Sequence, residues 1–256
     1  MKTSPTRRQD ALTLLEALFV LGIVLILAAL LLPALSGARR RGGPHVNCVS
    51  NLKQVGLAWL TWVHDNKCGE LPFRTPVAHQ GTMGSSDPLR NNAWWQFSII
   101  SNELTTPKVL VCPADRNVGL PRRLADNWSA TETNGGFMTS GFRHRSTSYT
   151  IGLDVTQPFD SAEMEASRRV LGSDRNILFD GRNDSCASGL MGTSIRVKGK
   201  NDQNPHALAP WTNAIHGLRG NVLTLDGAVQ QATTKELNYL CDFSNDNGSI
   251  HFLVPN

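Results

Sequence analysis

The sequence predicts an α+β protein: a helical N-terminus in two halves, one apolar and one amphipathic, ahead of a loop-rich domain of short strands. Three observations predict it. From Ala17 to Leu35 no residue is charged, and a helix of that length rises about 28 Å, close to the ~30 Å hydrocarbon core of a bilayer. Val49, Leu52, Gly56, Trp59 and Val63 then recur three and four residues apart, the spacing of a helix with one apolar face. Among 22 glycines and 13 prolines are clusters such as Gly81-Thr82-Met83-Gly84, and Asp226-Gly227 separates two strand-length runs; such punctuation suits tight turns between short strands.

Residues 1–11 form a short polar leader with Lys2, Arg7 and Arg8, fit for a cytoplasmic tail or the n-region of a targeting signal. The apolar run that follows carries one acid near its start, Glu16. An acid in lipid is costly and is read as functional, although at the end of a span it can also sit among headgroups. A secretory signal cleaved after Ser36 or Ala38 is an alternative, but the apolar run exceeds the roughly 7–15 residues of a signal core. Arg7-Arg8 hints at twin-arginine export, and Asp10 speaks against it. Arg39, Arg40 and Arg41 crowd the far end of the span, so the bias of basic residues does not decide its orientation. The net charge of +4 is a mild excess, concentrated in the leader and these arginines. It suits lipid headgroups and does not indicate a nucleic-acid partner.

Gly42-Gly43-Pro44 predicts a kink or hinge before the amphipathic stretch, because proline removes a backbone donor and each glycine costs a helix about 1 kcal/mol. Within that stretch Ser50 and Lys53 spell the S-x-x-K of serine acyl-enzymes. The pattern is short, and no K-T-G-like or S-D-N-like partner follows it. Residues 67–256 are long enough for one domain with a substantial core.

In that domain Val109-Leu110-Val111 is a strand-like run closed by Pro113, and Asn176 to Phe179 is another, followed by Asp180-Gly181 and Asp184. Val222 to Leu225 and Ala228 to Gln231 flank the Asp226-Gly227 turn as the strands of a hairpin. The five cysteines, Cys48, Cys68, Cys112, Cys186 and Cys241, match no C-x-x-C zinc or redox motif. They are disulfides or buried thiols. His216 and Asp226 near one hairpin suggest a metal site or an acid-base pair; the alternative is a histidine that caps or hydrogen-bonds the loop entering the hairpin. Asp242, Ser244 and Asp246 imitate the start of a calcium loop, but glycine stands at the seventh place, Gly248, and no glutamate closes it.

Leu12-Thr13-Leu14-Leu15-Glu16, behind a basic leader and ahead of an apolar helix containing Pro33, resembles the N-terminus of type IV pilin-like proteins, including the pseudopilins of type II secretion. Three further stretches resemble one large group within that family: Cys48-Val49-Ser50-Asn51-Leu52-Lys53-Gln54-Val55-Gly56-Leu57, Cys112-Pro113-Ala114-Asp115, and His216-x9-Asp226-Gly227. The matches are dense in residues 12–66 and 216–231.

The resemblance implies cleavage by a prepilin peptidase between Ala11 and Leu12, with methylation of the new amine. Alanine stands there in place of the usual glycine and leucine in place of phenylalanine. Glu16 becomes fifth in the mature chain and pairs with the amine of a neighbouring subunit, setting register more than adding stability. Also implied is a long N-terminal helix, residues 12–38 in the membrane and 39–66 continuing from it, packed on an antiparallel sheet with loops over 67–215. Asn51, Leu52, Lys53, Gln54, His216, Asp226 and Gly227 are then structural, and Cys48–Cys112 is the expected disulfide.

Other implications are pilin-like subunits and membrane lipid as partners, no enzyme activity, and no cofactor beyond calcium, which some pseudopilins hold in C-terminal loops. The cytoplasmic membrane is the implied location, with the C-terminal domain outside it. Two rivals stand beside this reading. One is an anchored or exported binding protein that does not polymerise; the other is an anchored hydrolase using Ser50 and Lys53 or His216 and Asp226.

Overall fold

The computed structural model describes residues 14–67, 69–115, 121–155, 168–178, 194–198, 211–241, 243 and 249–255. The cleavage site at Ala11 and Leu12, Cys68, Cys186, the Asp180-Gly181 turn with Asp184, and the calcium candidates Asp242, Ser244 and Asp246 lie outside those residues. The chain divides into two compact units, Met1–Gly43 and Pro44–Asn256.

In the first unit, helix α1 begins at Leu14 with Glu16 in its first turn. Residues Leu14–Leu31 make one helix long and apolar enough to cross a membrane, with side chains such as Leu15, Phe19 and Leu30 exposed. That is the pattern of a helix solvated by something other than its own protein.

Helical backbone is continuous from Leu14 to Asp65 and includes Gly42-Gly43-Pro44. The expected kink or hinge falls at the boundary between the two units, Gly43 and Pro44. Long helical runs on both sides outweigh a local cost of roughly 3 kcal/mol for proline and 1 kcal/mol for each glycine.

In the second unit the C-terminal part of α1 buries Cys48, Leu52, Val55, Ala58, Trp59, Trp62 and Val63. This is the predicted apolar face, with Cys48 in place of the half-buried Val49 at its start. It joins one core cluster with Phe73, Phe97, Tyr149, Ile151, Leu171 and Leu223. Gly56 permits the contact with the sheet: a Cβ there would stand 2.6 Å from Leu223 Cδ1.

Among the described residues the sheet has six strands: β1 (Tyr149–Gly152), β2 (Val170–Asp174), β3 (Ser194–Lys198), β4 (Gly220–Thr224), β5 (Val229–Ala232) and β6 (Ser249–Leu253). Their order is β3-β6-β1-β2-β4-β5, and every neighbouring pair is antiparallel. The fold is thus α+β with an N-terminal apolar helix and an antiparallel sheet. Strand side chains alternate between two cores: Leu223 belongs to the α1 side, while Val222 joins Ile177, Trp211, Leu237, Leu240 and Phe252 in a second cluster.

Between α1 and β1 lie two short helices, α2 (Ala93–Ile99) and α3 (Ser101–Leu104). Residues 67–215 hold, besides the expected loops, these helices and strands β1, β2 and β3. The strand expected at Val109-Leu110-Val111 is also corrected. Pro107–Leu110 is a 3-10 turn, because proline fits the first position of a helix and Thr106 Oγ1 caps it by accepting from the Lys108 amide at 3.4 Å. Nor is Asn176 to Leu178 a strand; Ile177 makes a single bridge to Trp211.

A last helix, α4 (Thr234–Cys241), follows β5. Its capping box is complete: Glu236 Oε2 accepts from the Thr233 amide and hydroxyl at 2.7 and 2.8 Å.

Candidate functional site

Three of the four motif-like stretches meet at one buried point in the second unit. Cys48 on α1 and Cys112, just after the 3-10 turn, form a disulfide with Cα atoms 5.0 Å apart. One helical turn beyond Cys48, Asn51 donates its side-chain N–H to the Val111 carbonyl at 3.2 Å. The Tyr149 hydroxyl at the start of β1 donates to the Cys48 carbonyl at 3.4 Å, and burial holds its pKa well above the ordinary phenol value.

His216, in the loop before β4, packs on this disulfide. Its Nε2 is 3.5 Å from Cys112 Sγ and 3.5 Å from Asp174 Oδ2, and its ring meets His45 edge to face at 5.0 Å between centroids. Burial first, and the neighbouring His45 second, lower its pKa to about 4. The ring is neutral at pH 7, so its contact with Asp174 is a dipolar one and not an ion pair.

Asp174, the last residue of β2, is fully buried. Its Oδ2 accepts from the Asn221 amide at 2.6 Å and from the Asn221 side chain at 2.9 Å. Burial raises its pKa to about 7 against the opposing effect of those hydrogen bonds, with the charge of Asp115 adding to the rise. Asp115 in turn receives a two-pronged fork from Arg175, at 2.7 and 2.8 Å. Arg122 Nε stands 3.2 Å from the same carboxylate.

These contacts tie α1, the 112–115 turn, the end of β2 and the loop before β4 together. Closing a long loop through one covalent bond constrains the unfolded chain, and the hydrogen bonds around it hold the segments to one arrangement. Among the described residues no activated nucleophile enters the cluster. The two sulfurs are bonded to one another, and Ser50 and Lys53 lie on the exposed face of α1.

Cys48, Cys112 and His216 place their ligand atoms within 4.8 Å of one another. Zinc is held by thiolates, and sulfurs joined in a disulfide are not thiolates. In this oxidised state the trio is not a zinc-ligand set.

His216 and Asp226, paired in the sequence as an acid-base candidate, serve separate tasks. Asp226 Oδ1 accepts from Thr224 Oγ1 at 2.5 Å and from the Ala228 amide at 3.0 Å, fixing the hairpin turn. Gly227 completes the turn at φ +80°. The acid beside His216 is Asp174, not Asp226. Among the remaining motif residues Leu52 is buried in the core, Lys53 and Gln54 are exposed, and Glu16 is exposed on α1 in the first unit.

Sequence reasoning missed Asp174, Arg175, Asn221, Tyr149 and His45. It also missed a buried histidine-carboxylate contact, His251 Nδ1 at 3.1 Å from both Asp154 oxygens. Every one of these partnerships bridges distant segments or follows a helical turn with no motif to mark it. No protein-family model, curated protein or solved structure matches the chain.

Proposed function

We propose that the chain is a structural, non-enzymatic subunit of a membrane-anchored pilin-like fibre, of the kind represented by the pseudopilins of type II secretion and type IV pilus-like systems. The observation that carries this reading is the first unit: an exposed apolar helix, Leu14–Leu31, with a single acid, Glu16, in its first turn. Exposed leucines along the whole run call for lipid or other subunits as solvent. An acid at one defined level of such a helix supplies register once a cationic group meets it. That group is the N-terminal amine of a neighbouring subunit, freed when prepilin peptidase cuts between Ala11 and Leu12. The second unit then stands on the extracytoplasmic side of the cytoplasmic membrane, where a disulfide such as Cys48–Cys112 persists.

Glu16→Ala tests this directly. Insertion is expected to be retained, since an acid leaves an apolar helix. Subunit-to-subunit crosslinking in membranes is expected to fall sharply, because the incoming amine meets no counter-charge, and a buried charge without one costs about 3–5 kcal/mol. Glu16→Asp, one methylene shorter, should be intermediate. Equal crosslinking in wild type and Glu16→Ala would place the acid among headgroups and remove the assembly role.

A further inference from the structure

Cys48, Cys112 and His216, whose ligand atoms all lie within 4.8 Å of one another, have a fourth nitrogen-bearing side chain beside them. His45 stands one helical turn before Cys48 on α1, a spacing that puts both on one face of the helix. Its ring meets that of His216 edge to face at 5.0 Å between centroids, and its Nε2 is buried without a hydrogen-bond partner. Two cysteines and two histidines are a donor set of tetrahedral structural zinc.

The distances fit that ion once the two sulfurs part. With Zn–S about 2.3 Å and Zn–N about 2.0–2.1 Å, a tetrahedral site holds sulfur and nitrogen about 3.5 Å apart; His216 Nε2 is already 3.5 Å from Cys112 Sγ. The sulfurs themselves would stand about 3.8 Å apart, a separation reached by rotating the two side chains about their Cα–Cβ bonds over Cα atoms 5.0 Å apart. Charge selects the fourth ligand. Two thiolates neutralise Zn²⁺, so a third anion would leave a buried site with net charge, and Asp174 Oδ2 is committed to Asn221. His45 brings an imidazole nitrogen, a neutral ligand, that no hydrogen bond holds elsewhere.

We propose that reduction of the Cys48–Cys112 disulfide turns this point into a zinc site, with Cys48, Cys112, His216 and His45 as its four ligands. A dithiol reductant transfers two electrons and two protons to the disulfide and leaves as a disulfide itself; Zn²⁺ then displaces both protons from the two thiols as two Zn–S bonds form. Oxidant and metal compete for the same sulfur pair, so one clasp replaces the other. Either one ties α1 to the 112–115 turn, and the second unit keeps that tie in reducing and oxidising surroundings alike. The site lies within the second unit and is independent of assembly through Glu16, so failure of either reading leaves the other standing.

The test uses the full-length chain in detergent micelles, reduced with a dithiol, desalted without oxygen and titrated with Co²⁺ and then Zn²⁺. The reduced wild type is expected to show the strong visible absorption of tetrahedral cobalt and a near-ultraviolet thiolate-to-cobalt band, and Zn²⁺ should bleach both. Zn²⁺ should also raise the melting temperature of the reduced chain, since it restores the tie that the disulfide made. A Cys48→Ser, Cys112→Ser chain, which keeps the other three cysteines, should lose these signals. Should that chain fail to fold, His45→Phe decides: it keeps both sulfurs and the ring contact with His216, and should weaken Zn²⁺ binding at least about tenfold while the oxidised protein melts as wild type does. Absence of the tetrahedral bands from the reduced wild type, their persistence in the folded double variant, or unchanged Zn²⁺ affinity in His45→Phe would overturn the proposal.

Discussion

Replacing Asp174 with asparagine should change how the stability of the second unit depends on pH more than it changes the fold. Asparagine keeps an oxygen where the Asn221 amide and side chain donate and removes the titrating proton. Burial pushes the wild-type carboxyl up to about 7 in the folded state, well above the ordinary carboxylate range. A raised folded pKa means that the native state holds a proton that the unfolded state releases. The associated stability is fully present below about pH 4 and is lost as pH rises through about 7. A rise of that size is worth on the order of a few kcal/mol across that window.

His216 works in the opposite sense. Its pKa is lowered to about 4, so its contribution is present above its unfolded value near 6.5 and is lost as pH falls through about 4. The two slopes oppose one another in the wild type. Removing the Asp174 proton should leave the His216 contribution exposed. Denaturant unfolding of the full-length chain, followed by tryptophan fluorescence from about pH 4 to pH 8, should therefore show Asp174→Asn gaining stability relative to wild type as pH rises. Parallel pH profiles for the two proteins would show that Asp174 is an ordinary carboxylate in the native state and refute the reasoning.

Two glycines test the packing. Gly227→Val should lower the melting temperature by an amount equivalent to at least roughly 1–2 kcal/mol, because φ is +80° and valine is strained there; Leu60 Cδ1 at 3.4 Å leaves room for the Cβ itself, so backbone strain is the cause. Gly56→Ala should cost about 1–3 kcal/mol by pushing Leu223 off β4's inner face, and adding Leu223→Ala should give less than the sum of the two single losses in denaturant titrations. Additive losses would mean that α1 and β4 do not meet at Gly56.

What was legible in the sequence was local. The helical period from Leu52 to Val63, the apolar run containing Glu16 and the turn at Asp226-Gly227 are written within a few neighbouring residues. The Val109-Leu110-Val111 run misled because strand-like composition is weaker than a proline held at the first position of a 3-10 turn by Thr106. At Gly42-Gly43-Pro44 the backbone is helical although the local propensity opposes it, because helix runs on both sides.

The cluster was legible only in part. Cys48, Cys112 and His216 belong to motif-like stretches, but Asp174, Arg175 and Asn221 carry no local mark. Asp174 meets Asn221 through the antiparallel pairing of β2 with β4, and Arg175, just after β2, reaches Asp115 in the 112–115 turn. His216-x9-Asp226-Gly227 suggested one site by proximity along the chain, whereas the strand between them leads away from His216 to the turn.

The proposed assembly role depends on a free amine at the level of Glu16, and the mass of the mature chain measures it most directly. Intact mass spectrometry of the protein extracted from membranes should show residues 1–11 removed and a methylated N-terminus at Leu12. A chain beginning at Met1, Gly37 or Arg39 would contradict the account, since none of these starts puts an amine opposite Glu16.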